Sequence, residues 1–86
     1  MRKYEISERS RYGNDTYTLI VKKSLFSKKY KVIVRKISSW ECCGDTVYKA
    51  SSKDFNTILD VLRDDVIEKY PFFDLNLVLI EKLLTE

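Results

Sequence analysis

Apolar and polar positions alternate with a period of two through the first half of this chain and change to a helical period after residue 50. Tyr4 and Ile6 alternate with Lys3, Glu5 and Ser7, so Arg2 to Arg9 reads as a first strand. Gly13-Asn14-Asp15 is turn chemistry. Thr16 to Lys22 is a second strand with Tyr17, Leu19 and Val21 inward, and Ser24 to Lys28 interrupts it as a hairpin connection. Lys29 to Ile37, rich in β-branched residues, is the third strand. Its inner side carries Tyr30, Val32 and Val34, and its outer side Lys31, Ile33, Arg35 and Ile37. A loop ending in Gly44-Asp45 leads to a short fourth strand, Thr46 to Ala50.

Residues 51–70 form the strongest element. Phe55, Ile58, Leu59, Leu62 and Val66 fall on one stripe of an α-helix. Ser51 or Ser52 can cap its first turn, and Asp54 suits the positive end of the helix dipole. Pro71 cannot continue the helix and pushes Tyr70 out of the α region, which ends it.

The tail is more ambiguous. Leu75, Val78, Leu79 and Leu83 share one helical face while Leu77, Ile80 and Leu84 crowd the adjacent one, with Asp74 as the expected N-cap. The Leu-rich composition with Glu81 and Lys82 predicts a second helix. The alternation Leu75, Leu77, Leu79 keeps a fifth strand as the alternative. The expected architecture is therefore α+β: one domain spanning residues 1–86, with an antiparallel meander of three to four strands packed on the helix 51–70 and followed by the tail element.

Charge changes the picture more than composition does. Residues 1–50 hold twelve Lys and Arg against five Asp and Glu, a balance of +7. Residues 51–86 hold four against eight, a balance of −4, which together give the net +3. The strands are thus basic and the helices acidic. No apolar run approaches the roughly 20 residues of a membrane span, and the first residues lack the apolar core of a signal peptide. These features predict a cytoplasmic protein with no membrane partner.

The chain offers little for catalysis. It has no histidine to act as a base near neutral pH and no Gly-rich phosphate loop. Asp60, Asp64 and Asp65 are close in sequence, and Asp60 and Asp64 share the helix face opposite the apolar stripe, where solvation explains them. Cys42 and Cys43 are adjacent, close almost no loop as a disulfide, and read as free thiols. Two cysteines without histidine cannot complete a structural zinc site. No enzyme activity, cofactor or metal is expected.

Two surfaces remain as candidates. Trp40 lies in a loop, and with Lys22, Lys31, Ile33, Arg35 and Ile37 on the outer sheet face it would form an apolar patch rimmed by cations, suited to a protein partner. The alternative is nucleic acid, bound through Lys22, Lys23, Lys28, Lys29, Lys31 and Arg35 with Tyr12, Phe26 or Trp40 to stack on bases. The tail could instead support a homodimer. The layout resembles several single-strand-binding folds, including the dimeric ββββα coactivators. The composition (short, rich in Lys, Ile, Tyr and Asp) resembles small phage and mobile-element proteins of AT-rich bacteria. That resemblance implies a protein that binds and blocks a host protein, as anti-CRISPR proteins do.

Overall fold

The computed structural model describes residues 3–9, 15–24, 26, 28–37 and 44–85. Four antiparallel strands form one sheet in chain order: β1 (Lys3–Arg9), β2 (Thr16–Lys23), β3 (Tyr30–Ile37) and β4 (Asp45–Ser52). The sheet is followed by two helices. The first, α1, is α-helical over Phe55–Val61, widens to a π turn over Leu62–Val66, and closes with an α turn at Ile67–Lys69. The second, α2, spans Leu77–Thr85. The α+β class, the antiparallel meander and the helical tail all match what the sequence predicts.

The alternation in the strands becomes one-sided burial. Tyr4 on β1, Leu19 and Val21 on β2, and Tyr30, Val32 and Val34 on β3 are all buried on the inner face. Ile58, Leu62 and Val66 of α1, Phe73 of the connection, and Ile80 and Leu84 of α2 close onto them as one cluster. No polar or charged residue lies in this core among the described residues. At 36 × 24 × 17 Å the molecule is one sheet thick plus one helix layer along its shortest axis. Helix α1 overlies β3 and β4, and α2 overlies β1 and β2.

Several boundaries differ from the sequence expectation. Ser51 and Ser52 extend β4, pairing with Lys31 and Tyr30, because the cross-strand ladder outweighs their helix-capping preference. Asp54 caps α1 instead. Its carboxylate accepts hydrogen bonds from the Asn56 N–H at 3.1 Å and the Thr57 hydroxyl at 3.3 Å, satisfying donors that the first turn leaves open. Asp74 does not cap the tail helix. Asn76 does, its side-chain oxygen accepting from the Leu79 N–H at 3.1 Å. The tail buries Ile80 and Leu84, half-buries Leu77, and leaves Val78, Leu79 and Leu83 exposed. Tyr70 leaves the helical region at φ −130°, as Pro71 requires.

The π turn has no sequence signal. In it the Ile67 N–H donates to the Leu62 carbonyl, one residue farther than in an α-helix. It carries Asp65, whose carboxylate accepts a hydrogen bond from the Tyr48 hydroxyl at 3.1 Å and so joins α1 to β4.

Candidate functional site: the open face of the sheet

Both helices pack on the inner face, so neither covers the other side of the sheet. The strand register arranges the outer side chains in rows. Lys3, Lys22, Lys31 and Ser51 stand abreast across the four strands. The next row is Glu5, Ile20, Ile33 and Lys49, and the one after it is Ser7, Thr18, Arg35 and Thr46.

Three lysines abreast on neighbouring strands repel one another, since strands lie about 4.8 Å apart. Among the described residues only Lys3 of the three has an acidic partner, Glu5 at 3.1 Å. Among the described residues no ion pair involves Lys22, Lys31, Arg35 or Lys49. Ile20 and Ile33 form the centre of the face and stay half-buried, while Ile37 is exposed at its end. Lys22 and Lys31 are themselves only half-exposed, as expected when their aliphatic stems lie along apolar neighbours. The hydroxyls of Ser7 and Thr18 share a hydrogen bond at 2.9 Å, and the Arg35 guanidinium points toward the Gly44 carbonyl at 3.5 Å. The result is a small apolar centre ringed by cations.

The face gathers four of the expected protein-binding residues, Lys22, Lys31, Ile33 and Arg35, with Ile37 at its margin. Trp40, Tyr12, Cys42 and Cys43 lie outside the described residues. The nucleic-acid set does not stay together. Lys23 faces the helix side, 5.4 Å from the Tyr30 ring centroid, and Lys28 and Lys29 are exposed around the hairpin connection. Lys3 and Lys49 belong to the face but were absent from both sets. Only the pairing register, which no local pattern encodes, brings them beside Lys22 and Ile33.

The aromatic side chains go elsewhere. Tyr17 packs on Tyr70 and Phe72 at centroid distances of 5.5 and 5.2 Å, and Tyr30 packs on Phe55 at 5.1 Å, all on the helix side. Burial raises the Tyr48 phenol above its usual range, helped by its bond to the Asp65 carboxylate, and burial likewise raises Tyr70 beside Tyr17. Among the described residues no three His, Cys, Asp or Glu side chains converge as a metal site, and no helix is long and apolar enough to cross a membrane. No protein-family model matches the chain, and neither the curated proteins nor the solved structures compared with it include a similar one.

Proposed function

We propose that this chain is a non-enzymatic binding protein that docks an acidic protein surface on the open face of its sheet. The observation that carries the reading is the packing of both helices on one side, which leaves Ile20 and Ile33 ringed by Lys3, Lys22, Lys31, Arg35 and Lys49 on the other. Protein interfaces have this anatomy, an apolar centre within a polar rim. The cations would speed encounter and select an acidic partner, while the isoleucines would supply the area removed from water. With the compositional likeness to phage and mobile-element proteins, the reading extends to an inhibitor that occupies a host protein. The test is capture of a partner from the native host by the wild-type chain, by Ile33→Asp, and by the pair Lys31→Glu with Arg35→Glu. Asp60→Lys on the opposite side serves as the control. Loss with the face variants and retention with the control is the expected result. Equal retention by all of them overturns the assignment.

One observation favours nucleic acid as a second reading: the row of three lysines has a single carboxylate near it. Against it, among the described residues the open face carries no aromatic ring on which a base could stack. Titration with single- and double-stranded oligonucleotides at low and moderate salt separates the two. Phosphate binding would fall steeply with salt, and no binding at low salt removes this reading.

A further inference from the structure

The hairpin between β2 and β3 carries a feature that the docking face does not use. Phe26 stands at its tip and is 100% exposed. The tip is closed by two backbone hydrogen bonds, from the Ser24 N–H to the Lys29 carbonyl at 2.8 Å and from the Lys28 N–H to the Ser24 carbonyl at 3.1 Å. Lys22 and Lys23 precede it, and Lys28, Lys29 and Lys31 follow it. From Thr16 to Trp40 the sequence holds seven Lys and Arg and no Asp or Glu. The register then adds Lys3 beside Lys22, so this end of the sheet is a cationic pole with one bare aromatic ring at its apex.

A second observation sets the tip apart. Lys28 has φ +54°, in the left-handed region, and is the one non-glycine residue with positive φ among those described. That conformation favours glycine or asparagine, so a lysine there is held at a cost to the fold. Backbone strain retained at an exposed charged position points from structure to function.

From these two features we infer that the hairpin tip docks on an anionic lipid surface, with Phe26 inserted among the headgroups and Lys22, Lys23, Lys28, Lys29 and Lys31 at the phosphate level. The tip is convex. Phe26 is fully exposed, and the lysines flank it at two to five residues along the chain, an exposed ring among cations that fits a soft, planar, negatively charged acceptor. A nucleic-acid backbone would be tracked by a flat or concave basic surface. The expectation of no membrane partner came from the lack of a spanning segment, and surface association requires none. Each lysine near such a surface strengthens binding about fivefold, and a partly inserted phenylalanine adds about tenfold.

The test is co-sedimentation of the full chain with vesicles of phosphatidylcholine alone and of phosphatidylcholine mixed with phosphatidylglycerol, at low and moderate salt. Binding is expected only to the anionic vesicles, weakening with salt. Phe26→Ala is expected to weaken it about tenfold with an unchanged melting temperature, because the ring is fully exposed. Lys28→Gly is expected to weaken binding about fivefold while raising the melting temperature, a split that a merely structural role would not give. Absence of binding to anionic vesicles at low salt overturns the inference, and so does undiminished binding by Phe26→Ala. Displacement by duplex DNA whose own binding depends on Phe26 also overturns it, assigning the tip to nucleic acid. None of these outcomes depends on Ile33, so failure here leaves the docking face untouched.

Discussion

Adjacent residues on β3 provide the sharpest test of the open face. Val32 is buried against the helices and pairs with Val21 and Ala50, whereas Ile33 points to the uncovered side beside Ile20 and Lys49. Val32→Thr keeps shape and strand propensity but places a hydroxyl in a site with no free acceptor, since the neighbouring side chains are apolar and the backbone is paired. Burying an unsatisfied hydroxyl costs about 2 kcal/mol. Ile33→Thr removes one methylene and exchanges a methyl for a hydroxyl that can still reach water. At a half-exposed site this costs about 0.5–1 kcal/mol. In a domain of this size each kcal/mol lowers the melting temperature by about 4–8 °C, so Val32→Thr should melt roughly 8–16 °C lower and Ile33→Thr by a few degrees. Thermal and urea unfolding measure both. Partner capture below the melting point should rank them the other way, with Ile33→Thr losing the partner and Val32→Thr keeping it. Equal destabilisation, or a concentration-dependent melt for the wild type that Ile33→Thr abolishes, would mean the face is already covered by another copy.

Three further outcomes follow from individual contacts. A Cβ on Gly44 would meet the Ile37 Cγ1 at 2.6 Å and the Lys36 carbonyl at 3.2 Å, so Gly44→Ala should cost about 1–2 kcal/mol in urea unfolding. Adding Ile37→Ala should recover part of that loss, and strict additivity would show that the clash is not its cause. Tyr48 and Tyr70 hold their phenol protons more tightly in the fold than in the unfolded chain, so their contribution is intact below about pH 10 and is lost as pH rises through the raised folded values. Tyr48→Phe should lose about 1 kcal/mol or less at neutral pH and show a shallower alkaline decline, and an unchanged decline would exclude Tyr48 as a source. Lys22→Gln relieves the crowded row, so it should gain a few tenths of a kcal/mol at low salt and nothing at high salt, and a gain that persists at high salt would refute the repulsion argument.

Local pattern made the inner face legible because burial on one side of a strand imposes period two on β1, β2 and β3 alike. It failed where long-range pairing decides. Ser51 and Ser52 read as caps, yet Lys31 and Tyr30 draw them into β4. The tail has leucines on nearly every side, so nothing local selects Ile80 and Leu84 for burial over Leu79 and Leu83; packing on β1 and β2 does. The bulge at Val47 is equally silent in sequence, although it lets Tyr48 stay opposite Val34 while Thr46 pairs with Arg35. The candidate face was half legible for the same reason. Ile33, Lys31 and Arg35 follow from alternation within one strand, but Lys3 and Lys49 join them only through register.

The open face follows from where the two helices pack. A four-stranded sheet has two sides, and this chain supplies one helical stretch from 55 to 69 and one of nine residues from Leu77 to Thr85. Each overlies two strands, so both are used up in closing a single side. Among the described residues no further element lies over the second side, which meets water with its own side chains. Threonine and serine would suffice for solubility, and Ser7, Thr16, Thr18 and Ser51 occupy part of it in that way. Isoleucine at positions 20 and 33 is not needed for the core and raises the exposed apolar area. Lysine stems at 22 and 31 offset this by lying alongside while keeping their ammonium groups in solvent. That arrangement is reversible: an acidic partner can draw the ammonium groups aside and reach the isoleucines, whereas a serine cover would offer it neither charge nor buried area.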